Sequence, residues 1–245
     1  MSVNHDDAPW PVREDLQAAH ARAWRRLARA GTWFSGAERV AIAAEARQAQ
    51  NCRLCRERSA ALTPGAVPGR HDSLGALPLP QVEAVHRIVS DPGRLSRAWR
   101  EGLRGQGLSD EQYVELIGVV ATVTAVDTFR LALGLAPWPL PVPVSGAPSG
   151  YRPTGLDAGR AWVPMIHPKT VQPAEADLYA GSTGAYVRQA LSLVPDEVRG
   201  FFDLVETQYL PAAAMRDYAR EPRAISHAQI ELIAGRVSAL NQCVY

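Results

Sequence analysis

The chain has 245 residues, of which 47% are hydrophobic and 21% charged, and its formal net charge at pH 7 is +1. This composition is typical of a globular protein with a core, and a nearly neutral chain lacks the positive field that nucleic acid or an acidic membrane surface attracts. No apolar run reaches the roughly 18 to 20 residues that cross a bilayer. The polar residues 1–7 do not resemble a signal peptide, so we expect a cytoplasmic protein with reduced cysteines.

Apolar residues recur mostly at helical spacing, which predicts an all-α fold. The strongest segment is residues 109–133, where Ser109 and Gln112 form a capping-box pattern, Gly134 follows the end, and an apolar centre predicts a central buried helix. Strand–helix alternation is absent, which argues against thioredoxin and Rossmann folds. The other predicted helices span residues 35–50, 81–90, 95–103, 183–194, 195–209 and 226–240.

Residues 136–173 differ from the rest of the chain because they hold nine of its nineteen prolines. Helix cannot persist through such a segment, so it is predicted to be an extended linker or a strap over the surface. We therefore expect two helical units, residues 1–135 and 179–245, joined by a proline-rich connection at 136–178.

The two predicted units contain an ungapped internal repeat. Each copy begins with a capping box, and each capping serine lies seventeen residues before a cysteine. The matching cysteine offset is the more informative feature, because a serine before a helix is common and the chain has three cysteines. The repeat aligns Ser35 with Ser226, Glu38 with Gln229, Ile42-Ala43 with Ile233-Ala234, and Cys52 with Cys243.

The first copy continues as a Cys-x-x-Cys motif made by Cys52 and Cys55. Two cysteines at this spacing can form a reducible disulfide, and the basic residues Arg53, Arg56 and Arg58 favour the reactive thiolate. A peroxide could oxidise one thiolate to a sulfenic acid, which the neighbouring thiol would resolve as a disulfide.

Two other interpretations of this motif remain open. Cys-x-x-Cys can be half of a zinc site, but no second such motif or His-x-x-x-His follows, and His71 alone does not complete four ligands. The two thiols can also simply fill a helix interface.

The second copy carries an acid that the first lacks. Glu231 lies twelve residues before Cys243 in an apolar stretch, where the first copy has Val40. Glu231 could equally be an exposed helix position. In a straight helix the two residues would be about 18 Å apart, so the acid could serve the cysteine only through a helix break or a relay residue.

These features resemble the AhpD-like alkylhydroperoxidase and carboxymuconolactone decarboxylase superfamily, whose pattern is Glu, eleven residues, Cys-x-x-Cys, and His four residues later. Glu231 and Cys243 match the first two elements, and residues 107–112 before the long apolar helix look like the family's helix after the cysteine site. The resemblance implies an all-α bundle, a homo-oligomer, no cofactor, and a cysteine pair served by a Glu and His proton relay. The first copy departs from the pattern with Val40 for the Glu and Ser59 for the His.

The chain also resembles a subgroup described as alkylhydroperoxidase-related selenoproteins, in which selenocysteine follows Cys-x-Tyr. The printed sequence stops after Tyr245, so we expect selenocysteine or cysteine to follow in the natural protein, with a short segment that holds the His. A true end at Tyr245 is the alternative.

Three functions compete at this stage. The leading one is a thiol or selenol peroxidase that reduces hydroperoxides with electrons from a dithiol donor, without nucleic-acid or membrane partners; its site residues are Cys52, Cys55, Glu231 and Cys243. The second is a cofactor-free lyase acting on a ring lactone, with polar groups from Glu83, His86, Asp127 and His167. The third is a catalytically inactive oligomeric helical protein.

Overall fold

The structure is a computed structural model that describes residues 3–180 and 184–241, and α-helices dominate it. The predicted all-α class is confirmed, since the described residues contain one pair of regular strands, antiparallel β1 (Leu156–Asp157) and β2 (Met165–Ile166). The helices are α1 (Glu14–Ala28), α2 (Gly36–Ala49), α3 (Arg53–Ala60), α4 (Leu79–Ser90), α5 (Arg97–Gly105), α6 (Asp110–Ala132), α7 (Tyr186–Gln189), α8 (Pro195–Gln208) and α9 (His227–Leu240).

Helix α6 lies at the centre of the main hydrophobic core, as its apolar sequence predicts. It packs against α2, α4 and α8, while α1 packs against α2 and α8. The capping box of Ser109 and Gln112 starts α6, and Gly134 follows it with φ +75°. The fully buried side chains of its middle are Leu116, Val119, Val120, Val123 and Val126.

Helix α8 connects the two predicted units. It belongs to the second unit by sequence, yet it packs along α1 and α6 of the first, and its Leu204 joins the main core. A second hydrophobic cluster unites Val114 of α6 with residues between Ile166 and Phe202. The division at residues 135 and 179 stays a prediction, because side chains from both sides share this packing.

The strap predicted over residues 136–173 is present in its first part, residues 136–150, whereas the rest contains β1 and β2. The first part lacks regular structure and crosses the end of α1, where Val144 N–H donates to Ala28 O at 2.8 Å and Gly150 N–H donates to Thr32 O at 2.8 Å. The indole of Trp24 donates to Pro139 O at 2.9 Å. Backbone groups without strand partners are thus satisfied by the end of α1 and the loop that follows it.

The helix predictions need three corrections. Helices α1 and α3 were not predicted, since neither has a capping side chain at its start, although the buried residues Leu16, Trp24 and Leu27 of α1 recur at helical spacing. Of the predicted helix 183–194, the structure describes residues 184–194, in which regular helix covers only α7 (Tyr186–Gln189) and turns follow it.

A buried charge cluster lies where α1, α2, α6 and α8 meet. Arg39 contacts Glu115, and it donates to Glu197 at 2.7 Å, while Arg26 lies 2.9 Å from the same Glu197 carboxylate. Gly31 and Gly118 make room for this cluster, since a β-carbon at either position would overlap a carboxylate. Two arginines and two acids balance in charge, which lets the ions remain buried.

None of the helices in the described ranges is both long and apolar enough to cross a membrane.

Candidate metal centre

Cys52 and Cys55 lie at the start of α3, and both are buried free thiols. Cys52 occupies the N-cap position without providing a capping bond. Asp72 provides it instead, because its carboxylate accepts from Arg53 N–H at 2.7 Å. The backbone N–H of Asp72 donates to Cys52 Sγ at 3.4 Å, so one residue of the following loop holds both the helix and the sulfur.

Two histidines from different elements meet these sulfurs. His71 comes from the loop between α3 and α4, and its Nδ1 lies 3.5 Å from both Cys52 Sγ and Cys55 Sγ. His86 comes from the middle of α4, and its Nδ1 lies 3.2 Å from Cys55 Sγ. One potential ligand atom from each of the four side chains falls within 4.8 Å of the others.

A carboxylate contacts Nε2 of each histidine, on the side of the ring opposite the sulfurs. Glu83 Oε2 lies 2.9 Å from His71 Nε2, and Glu45 Oε1 lies 2.8 Å from His86 Nε2. Both rings therefore turn Nδ1 toward the sulfurs. Glu83 is itself fixed by Arg58, at 3.0 Å, and by the Trp99 indole N–H, at 3.1 Å. The arrangement matches the carboxylate–histidine pairs that orient imidazole ligands around protein-bound metals.

The environment favours ionised sulfur at Cys52 and a neutral ring at His86. Burial opposes ionisation of Cys52, but the N–H groups of Asp72 and Cys55 outweigh it and lower the pKa of this thiol. Burial lowers the pKa of His86 despite the neighbouring Glu45. A thiolate and a neutral imidazole are the forms that bind a metal.

The environment of His71 and Glu83 favours a charged pair. Burial opposes a charge on His71, but its bonds to Cys55, Glu83 and Cys52 raise its pKa to about 10. Burial likewise opposes ionisation of Glu83, yet the bonds from His71 and Trp99 lower its pKa to about 2. A metal ion bound by His71 Nδ1 and the sulfurs would therefore have to displace a proton from that nitrogen.

The distances between these atoms agree with tetrahedral coordination. In a zinc site with Zn–S bonds of about 2.3 Å and Zn–N bonds of about 2.0 Å, each sulfur and nitrogen lie about 3.5 Å apart. Three of the four S···N pairs here are 3.5, 3.5 and 3.2 Å apart, and all four ligand atoms lie within 4.8 Å of one another. Two cysteines and two histidines form a donor set that suits zinc and related borderline-soft divalent ions.

The sequence-based argument against zinc rested on missing ligands, and the fold supplies them. His71 was recognised as one possible partner, whereas His86 was overlooked because it follows Cys55 by thirty-one residues and belongs to no short motif. A usable signal existed: His86 falls on the buried face of α4 together with Val82 and Val85. A polar side chain on such a face needs a partner.

Of the predicted second site, the structure describes Glu231. Glu231 is half-exposed on α9, where it accepts a 2.6 Å hydrogen bond from the Tyr209 hydroxyl and lies 3.5 Å from His227. Cys243 lies outside the described residues, so its pairing with Glu231 stays a prediction.

The basic residues expected to activate the first cysteines point elsewhere. Arg53 pairs with Glu57 at 2.8 Å, and Arg56 donates to Asn51 O at 2.9 Å. Arg58 contacts Glu83, which in turn contacts His71 beside the sulfurs. The stabilisation of the Cys52 thiolate comes from backbone N–H groups and from His71 instead.

The polar groups considered for a lyase pocket belong to separate networks. Glu83 and His86 lie at the cysteine cluster, whereas Asp127 forms two bonds with Arg47, at 2.7 and 2.8 Å. His167 Nδ1 accepts from the Lys169 backbone N–H at 3.1 Å. Within the described residues, these contacts place the four groups in three separate networks.

Comparisons of the chain with protein-family models, with curated proteins and with solved structures found no match. The resemblance to the AhpD-like superfamily therefore rests on the sequence motifs alone.

Proposed function

We propose that this protein binds a divalent transition-metal ion, with zinc as the best fit, through Cys52, Cys55, His71 and His86. The observation that carries the proposal is the convergence of four ligand atoms within 4.8 Å from three separate elements. Three of the four S···N distances are close to those of a tetrahedral zinc site. Two thiolates and two neutral imidazoles would neutralise a divalent ion.

The proposed role of the ion is structural. Residues 61–78 connect α3 to α4 with a single 3₁₀ turn, Pro64–Ala66, and the hydrophobic cluster beneath them consists of Cys52, Leu54, Cys55 and the partly buried Val67. Such a small cluster contributes little to holding an eighteen-residue loop. A metal that joins α3, His71 of the loop and α4 would supply the missing cross-link.

The first experiment is metal analysis of protein purified without added chelator. We expect one equivalent of metal per chain, and tetrahedral thiolate-to-cobalt charge-transfer bands after Co²⁺ substitution. Cys52→Ser and His86→Ala should lose the metal, whereas Cys243→Ser should retain it, because the four proposed ligands stay intact. Wild-type protein without metal that also fails to take up Co²⁺ would contradict the proposal.

A thiol peroxidase of the kind predicted from the sequence is a second candidate, which the lowered pKa of the Cys52 thiol favours. In this reaction two thiols and a hydroperoxide give a disulfide, an alcohol and water, and a dithiol donor then restores the thiols. The supporting geometry is the buried neighbouring pair Cys52 and Cys55 with His71 beside both sulfurs. The loop above them would have to open, because both thiols are buried.

Peroxide treatment separates the two candidates. If the metal proposal is right, the cysteines of the zinc-loaded protein should resist oxidation by an added alkyl hydroperoxide, because their thiolates are coordinated to the ion. For the peroxidase, reduced protein should consume hydroperoxide catalytically with dithiothreitol as donor, and Cys52→Ser should lose this activity. Absence of turnover with both metal-free and metal-loaded protein would exclude the peroxidase.

A further inference from the structure

A cleft of about 560 Å³ lies between α1 and α8, separate from the cysteine cluster, and arginines dominate its lining. Arg22, Arg25 and Arg26 of α1 and Arg29, which caps the C-terminus of that helix, follow one another at the spacing i, i+3, i+4 and i+7. These positions share one helix face, so like charges stand next to each other at a cost in free energy. The cleft concentrates positive charge where nothing in helix formation requires it.

Acids from α8 compensate only part of this charge. Arg22 forms two bonds with Asp203, at 2.9 and 2.8 Å, and Arg26 lies 2.9 Å from Glu197. Arg25 and Arg29 are exposed at the cleft and have no ion-pair partner in residues 3–180 and 184–241. The macrodipole of α1 favours basic residues in its last turn, but it does not explain a row of four that extends into a cavity.

The other walls contribute arginines that acids already hold. Arg199 of α8 lines the cleft and is bound to Asp177 and Asp196. Arg39 closes the base with a side chain that is 1% exposed and is bound to two carboxylates. The Nε atoms of Arg26 and Arg39 are buried and lack a hydrogen-bond partner within the described residues. Gly200 leaves room for the Arg26 guanidinium, because a β-carbon there would overlap it. A ligand with acceptor oxygens would find guanidinium groups at Arg25 and Arg29 that have no ion-pair partner among the described residues.

We propose that this cleft binds a small free molecule carrying two or more phosphate groups. Four of the six lining arginines are paired with acids, so within the described part of the chain the uncompensated positive charge of the cleft comes from Arg25 and Arg29. Guanidinium groups donate paired N–H bonds that match phosphate oxygens, and the arrangement favours a phosphoanion over a monovalent anion. The volume is that of an ordinary small-molecule site, and its concave form suits a soluble ligand better than a membrane surface.

Isothermal titration calorimetry with inorganic pyrophosphate tests this proposal at low ionic strength, with sodium chloride of equal ionic strength as reference. We expect saturable binding to the wild type and a loss of affinity of about ten-fold or more in Arg25→Ala/Arg29→Ala. Both side chains are exposed and lack described partners, so the variant should fold normally. The matched control is Arg220→Ala/Arg236→Ala, which removes the same charge from exposed positions elsewhere and should bind as the wild type does.

Two further results decide the source of the phosphate. Sedimentation with phosphatidylglycerol vesicles should be weak and should be abolished by pyrophosphate. Strong vesicle binding that pyrophosphate does not displace would overturn the proposal of a free ligand. Equal pyrophosphate affinity in the two double variants, or no saturable binding by the wild type, would overturn the site itself.

Discussion

Helices α2 and α9 begin with the same capping box and align without a gap, yet they occupy different surroundings. In α2 the residues Ile42, Ala43, Ala46 and Ala49 are at most 2% exposed, because α4 and α6 pack over them. The corresponding Ile233, Val237 and Leu240 of α9 are 56%, 51% and 63% exposed.

The same comparison extends to charged positions. Glu45 of α2 is fully buried and holds His86, whereas the aligned Arg236 of α9 is exposed. Arg39 is buried among acids, whereas the aligned Ile230 packs as an apolar residue. A repeated sequence thus fixes local capping, but the partners outside the repeat decide which copy builds a site.

The largest expected effect on stability comes from replacing the buried Arg39 of α2 by isoleucine, the residue at the aligned position of α9. Arg39→Ile leaves Glu115 without its charged partner inside the protein, so the free energy of unfolding should fall by about 3 to 5 kcal/mol. Denaturant titration measures this loss. Arg152→Ala is the control, because it breaks an ion pair with Glu111 at an exposed arginine, which should cost no more than about 1 kcal/mol.

The aligned isoleucines test the difference in packing directly. Ile42→Ala should lower the free energy of unfolding by about 2 to 5 kcal/mol, because it opens a cavity beneath α4 and α6. Ile233→Ala should change it by about 0.5 kcal/mol or less, because half of that side chain already faces solvent. Equal losses in the two variants would show that α9 is covered in solution.

A third pair of variants compares the residues behind the proposed metal ligands. Glu45→Gln removes the carboxylate that orients His86, so zinc affinity should fall by about 10- to 100-fold. Competition with a chromophoric chelator measures the affinity. Arg236→Gln changes the aligned position of α9 and should leave zinc affinity unchanged; a similar fall in both variants would point to a general loss of stability.

The smallest effect concerns the shared capping boxes. Ser35→Ala and Ser226→Ala each remove one N-terminal cap bond, worth about 1 kcal/mol. In α2 this should appear in the global unfolding free energy, because the helix is part of the core. In α9 it should appear mainly as faster amide hydrogen exchange within that helix. Slower global unfolding in either variant would run against the assignment of the caps.

Local signals explain which parts of the fold were predictable. Ser35, Ser109 and Ser226 each mark a helix start within three residues, and all three capping boxes are present in the structure. The start of α1 at Arg13 has no such signal, so the helix was overlooked.

The candidate site depended on contacts that no short motif encodes. The motif of Cys52 and Cys55 was visible, but the decisive partners lie sixteen and thirty-one residues after Cys55, one in a loop and one inside a helix. Their convergence depends on how α4 packs against α2 and α3, which follows from the whole core. The spacing of residues along the sequence does not show which distant residues the fold will bring together.

The strap over α1 has a consequence for the unfolded chain. Residues 136–150 include five prolines, which restrict backbone rotation before folding begins. Such a segment loses less conformational entropy on docking than a flexible loop of equal length. The few backbone bonds from the strap to Ala28 and Thr32 can therefore hold it in place, and replacing its prolines by alanine would loosen it while leaving these backbone bonds intact.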